Sequence, residues 1–208
     1  MRPSIAHGLL GVALLLACTT EEGAFPGCPV KGDAVRSGVR TLNQLKNRVA
    51  APSVRDIDSA VTLEAMLAPG DDRGRWSERR AGTLVGYVRD VKLGGVETVN
   101  CFAKTSDYRD THIELVTDPA SGGHLPLIVE ITPWWRRHAA SGGTNWTTDS
   151  LRAALLGRWV RVTGWLLFDT EHGREAENTA PGRVGNWRAT AWELHPVTEL
   201  EVVAGPSR

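Results

Sequence analysis

The hydrophobic rhythm of the chain changes twice. Residues 9–17 form an almost unbroken apolar run behind Arg2. The run is too short to cross a bilayer as a helix and predicts the core of a signal peptide over residues 1–17. Apolar positions then recur at helical spacing. Leu42, Leu45 and Val49 predict a short amphipathic segment, and Leu63, Met66 and Leu67 predict a second that stops at Pro69-Gly70. From Gly82 the period falls to two, in short runs rich in β-branched residues, which predicts strands.

The strand-like runs cover residues 82–93, 97–104 (after a Gly94-Gly95 turn), 111–117, 126–132, 159–168 and 188–203. A loop with Trp134, Trp135 and Gly142-Gly143 follows the fourth run, and a helix is expected at 149–156, capped by Thr147 or Thr148 and ended by Gly157. Strands, one helix, then further strands is the order of an OB-fold. The expected fold is therefore mainly β: an OB-fold-like five- to six-stranded Greek-key barrel with one helix between its third and fourth strands. A β-sandwich is the alternative, although a lone helix at that point is unusual there. The expected organisation is a signal peptide at 1–17, a tether at 18–30, a partly helical extension at 31–80 and the barrel domain at 81–204.

Composition narrows the function classes. The chain has 24 basic and 24 acidic residues, a balance that argues against a dedicated non-specific DNA binder but allows a local basic patch. Tryptophan is heavily used, with 8 Trp against 3 Phe and 2 Tyr. Trp159, Trp165 and Trp192 fall in strands and are expected in the core. Trp134, Trp135 and Trp187 fall in loops beside Arg136 and other arginines, where they are candidates for stacking on bases or sugar rings, or for packing loops onto the barrel.

The apolar run ends in Leu15-Leu16-Ala17-Cys18, which resembles the lipobox of bacterial lipoproteins. The resemblance implies that Cys18 is lipidated after cleavage and anchors the exported protein to the bacterial cell envelope. Cys28 and Cys101 then remain as an even pair in an oxidising compartment. A disulfide between them is the simple expectation, with two separate buried thiols as the alternative.

A second resemblance covers roughly residues 82–203. Asp110-Thr111-His112-Ile113, Ile128-Val129-Glu130-Ile131, Val162-Thr163-Gly164 with Phe168-Asp169 and His172, and Glu193-Leu194-His195-Pro196 occur in that order. Together they resemble a group of bacterial proteins described as nucleic-acid-binding and OB-fold-like. The resemblance implies the fold and says little about the ligand.

Chemistry concentrates in His112, Glu114, Glu130, Glu193 and His195. By the period-two rule each stands opposite the large aliphatic residues of its strand. In an OB barrel the third strand lies between the second and fifth, so His112, Glu130 and at least one of Glu193 and His195 are expected to converge on one outer face. Two imidazoles with two or three carboxylates form a hydrogen-bonded network, ligate a divalent metal, or act as a general acid and base. The chain is accordingly expected to be a non-catalytic binding module at the envelope, for single-stranded nucleic acid or an oligosaccharide. The alternatives are a metal-dependent hydrolase using His112, Glu130 and His195, and a purely structural lipoprotein.

Overall fold

The computed structural model describes residues 22–120 and 123–205. The signal peptide expected over 1–17 and the expected lipid acceptor Cys18 lie outside the described residues. The described chain is mainly β. Five strands, β1 (Ala81–Leu93), β2 (Thr111–Val116), β3 (Leu127–Ile131), β4 (Trp159–Phe168) and β5 (Trp192–Val203), close into a barrel in the order β1-β2-β3-β5-β4. β3 and β5 run parallel, and every other neighbouring pair is antiparallel. Inside, alternate residues meet: Ile113 and Leu115 of β2, Leu127, Val129 and Ile131 of β3, and Trp192 and Leu194 of β5 join one hydrophobic core.

The expected strand over 97–104 is absent. Its place is taken by a short 3-10 turn, Thr98–Asn100, after which Cys101 and Phe102 hold positive φ angles of 49° and 55° that break the pleat. The turn's backbone bonds elsewhere: the Thr98 carbonyl accepts from Asp33 N–H and the Val99 carbonyl from Asn47 Nδ2. The barrel therefore has five strands.

Two helices, where one is expected, connect β3 to β4. They are α3 (Pro133–Ser141) and α4 (Thr148–Leu155), numbered after the two helices of the extension, α1 (Ser37–Lys46) and α2 (Leu63–Leu67). The Trp134-Trp135 segment is thus helix, not loop. The Thr132 hydroxyl accepts from Trp135 N–H, and Pro133 takes a first-turn position where its missing N–H costs nothing. Thr147 caps α4 in the same manner.

The extension lies against the barrel through two different surfaces. Around α2, Val61, Leu63 and Met66 enter the apolar core. Gly82 and Gly86 of β1 make room for them: a Cβ at Gly82 would come 2.6 Å from Val61 Cγ1, and one at Gly86 2.8 Å from Leu63 Cδ2. Helix α1 buries Leu42, Asn43 and Lys46, and Val49 beyond it is exposed, so its face is rotated from the expected Leu42–Leu45–Val49 stripe. The reason is that α1 meets carbonyls and charges. Asn43 Nδ2 donates to Lys31 O, Asn47 Nδ2 donates to Val30 O, and Lys46 enters the cluster described below.

Cys28 and Cys101 form a disulfide with their Cα atoms 5.9 Å apart, as the even pair predicts. It fastens the first described residues to the segment between β1 and β2. No helix among the described residues is long and apolar enough to cross a membrane. Of the three strand tryptophans expected in the core, only Trp192 is buried. Trp159 and Trp165 are half-exposed, because Val160, Val162 and Leu166 take the inward positions of β4.

Candidate functional site

Strand register assembles four of the five polar residues. β2 and β3 pair His112 directly with Glu130, and the parallel β3–β5 ladder sets Ile128 opposite Glu193. His112 Nδ1 lies 3.7 Å from Glu130 Oε1, and Glu130 Oε2 lies 3.6 Å from His195 Nδ1. His195 Nδ1 is 3.0 Å from Glu193 Oε1. Glu114 belongs to a separate group, in which Arg89 and Lys92 of β1 hold its carboxylate at 2.8 and 2.5 Å.

The cluster is larger than the strand pattern reveals. Lys46, from the last turn of α1, places its ammonium 3.3 Å from both Asp169 Oδ2 and Glu97 Oε2. Arg188, on the long loop between β4 and β5, donates to Glu193 Oε2 at 2.8 Å and to the Thr190 carbonyl at 2.7 Å. Asp169 at the end of β4 also accepts from His172 Nδ1 at 2.8 Å. Asp110, immediately before β2, accepts from Asn100 Nδ2 at 3.3 Å and faces His195 Nε2 at 3.9 Å. Lys46 had one sequence signal: it stands four residues after Leu42, on the same face of the helix.

Helix α1 and the β4–β5 loop cover this outer face, so Lys46, Arg188, Glu193 and His195 are at most 1% exposed. Burial sets the electrostatics. It pushes Glu130 well above the usual carboxylate range, reinforced by Glu193 and Asp110 beside it. Asp110 rises for the same first reason, offset in part by His195. Glu193 is held down to about 2: burial opposes its charge, and the Arg188 guanidinium overrides burial. Asp169 is likewise held well below its ordinary value, because Lys46, His172 and Arg188 outweigh its burial. Burial lowers His112 to about 3 and keeps its imidazole neutral.

The four stacking candidates separate. Trp135 is packed into the hydrophobic core and donates its indole N–H to Arg48 O. Arg136 is buried, with its guanidinium donating to the carbonyls of Ser106, Asp107, Arg109 and Trp146. Trp134 is half-buried and stacks on His138, with ring centroids 5.2 Å apart. Trp187 is half-buried on the β4–β5 loop. Its ring lies 5.5 Å from that of His112 and 5.8 Å from that of His172, with Lys92 Nζ 5.7 Å from its centroid.

Compared with known protein families, curated proteins and solved structures, the chain matches none.

Proposed function

We propose that this chain is a non-catalytic binding module: an OB-fold-type barrel, anchored to the bacterial envelope through lipidated Cys18, that takes single-stranded nucleic acid across the face carrying Trp187. The fold reading draws on the β1-β2-β3-β5-β4 closure, the parallel β3–β5 pair and the placement of helices between β3 and β4. Barrels of that kind receive ligands on the β2–β3 face between the β1–β2 and β4–β5 loops; here α1 and the β4–β5 loop cover the polar centre of that face, and Trp187 lies on the covering loop. The envelope reading draws on Leu15-Leu16-Ala17-Cys18 and on a disulfide, which persists in an oxidising compartment.

The observation that carries the proposal is the position of Trp187. The β4–β5 loop lays its ring beside β2, half-buried, with Lys92 Nζ 5.7 Å from the ring; Lys92 and Arg89 share the Glu114 carboxylate, with side chains 41% and 35% exposed. A tryptophan ring stacks on any base, and neighbouring cations track the phosphates. A sugar ring stacks on the same surface but gains nothing from the cations. Burial of the His/Glu set disfavours the hydrolase alternative, because a substrate has no access to it.

Titrating the mature chain with oligothymidylate while following tryptophan fluorescence tests this. Quenching that Trp187→Ala removes and Trp134→Ala retains is expected. Equal binding by the wild type and Trp187→Ala, or binding of neutral oligosaccharides alone, contradicts it.

A further inference from the structure

The buried cluster holds more carboxylate than its cations balance. Asp110, Glu130, Asp169, Glu193 and Glu97 stand against two permanent cations, Lys46 and Arg188. The cations are unevenly shared. Lys46 pairs with Asp169 and Glu97, and Arg188 pairs with Glu193 and Asp169. Among the described residues no lysine or arginine pairs with Asp110 or Glu130; the only side chains paired with either that can carry a positive charge are histidines.

His195 supplies the second observation. Glu193, ionised by Arg188, can only accept a hydrogen bond, so Nδ1 of His195 donates to it and Nε2 is the ring atom left for another partner. That Nε2 atom is fully buried, has no hydrogen-bond partner, and points toward Asp110 Oδ2 at 3.9 Å. A buried ring nitrogen left without a partner calls for an explanation. One donor atom from each of Asp110, Glu130 and His195 lies within 4.8 Å of the others.

We propose that Asp110, Glu130 and His195 form a structural site for a divalent transition-metal cation of the zinc or manganese class. The cation is bound by one carboxylate oxygen from each acid and by His195 Nε2. Metal–donor distances of about 2.0–2.2 Å set donors roughly 3–4 Å apart, so the side chains close on the cation by no more than about an ångström. The surrounding bonds suit this role. Glu193 fixes the His195 tautomer and is itself fixed by Arg188, and Asn100 occupies Oδ1 of Asp110 and leaves Oδ2 free. One imidazole with two carboxylates favours first-row divalent ions over calcium, which takes six to eight oxygens. Burial makes the site structural: the cation ties β3 and β5 to the start of β2, beneath the Trp187 face. Its two charges offset the surplus of carboxylate in the cluster.

The test uses the mature chain expressed without a polyhistidine tag. Elemental analysis of the purified protein is expected to find about one equivalent of a first-row divalent metal. After EDTA dialysis, adding Zn2+ or Mn2+ at roughly a hundredfold over Kd is expected to raise Tm by about 5 °C or more, with no comparable rise for Ca2+. Glu130→Gln keeps the shape, removes one anionic ligand and abolishes the shift; Asp110→Asn serves as the second variant. The proposal is overturned if neither Zn2+ nor Mn2+ shifts the EDTA-treated wild type, if only Ca2+ does, or if both variants keep the wild-type response. Any of these leaves a cluster satisfied by protons or water alone.

Discussion

Lys46 Nζ in the last turn of α1 lies 3.3 Å from Asp169 Oδ2 at the end of β4, 123 residues further along the chain, and both side chains are buried. The pair makes the N-terminal extension part of the barrel's electrostatics. Burial alone would pull the Lys46 ammonium down; Asp169 and Glu97 instead hold it well above the usual lysine range. Lys46→Met removes the cation, leaves Asp169 and Glu97 facing each other, and returns only apolar packing. Removing one partner of a buried pair costs about 3–5 kcal/mol. Urea unfolding should show a loss of that size; a loss below about 1 kcal/mol contradicts the role assigned to the pair.

The cluster also predicts a pH profile for metal-free protein. Glu193 and Asp169 have depressed folded-state values, so their contribution is present above the unfolded carboxylate range and is lost as pH falls through those values, about 2 for Glu193. Glu130 has a raised value, so its contribution is complete below the unfolded value of 4.5 and is lost as pH rises through its folded value. Glu130→Gln removes only the second effect. After EDTA dialysis, the stability of Glu130→Gln relative to wild type should rise from pH 5 to pH 9 in urea titrations. A difference independent of pH contradicts the assignment.

The Cys28–Cys101 disulfide closes a loop with a sequence separation of 73. Chain entropy assigns such a link about 4 kcal/mol. The Cys28→Ala/Cys101→Ala double variant should lose stability of that order in chemical denaturation and remain folded, because the barrel core does not depend on the bridge. Unchanged stability contradicts this.

Anchoring has its own test. If Cys18 carries the proposed lipid, Cys18→Ser expressed in a bacterium should abolish lipid labelling and move the protein from the detergent phase to the aqueous phase. Continued detergent partitioning rules out Cys18 as the lipid acceptor.

How much of this is legible in the sequence depends on which physical signal a residue obeys. The outward placement of His112, Glu130, Glu193 and His195 follows from strand alternation, and their convergence follows from barrel order. Lys46 escapes a hydrophobic reading because its helix docks through Asn43, Asn47 and an ammonium, which apolar periodicity does not register. Arg188 and His172 sit in a polar loop whose path is set by long-range contacts, such as Ala189 N–H donating to Pro126 O beside β3. The Trp134-Trp135 segment does carry a helix signal, Thr132-Pro133, but the glycines that follow obscure it. Over 97–104, apolar residues resemble a strand while the backbone bonds turn toward the extension.

Binding of single-stranded nucleic acid on the proposed Trp187 face should depend on salt. Each phosphate contact on a single strand contributes a slope of about −0.7 to log K against log salt. With Lys92 beside the ring and Arg89 sharing its Glu114 partner as the part-exposed cations of this face, oligothymidylate should bind with a slope of roughly −1.4. Lys92→Ala should reduce that slope by about half. Absence of binding at low salt, or binding with no salt dependence, would contradict the account.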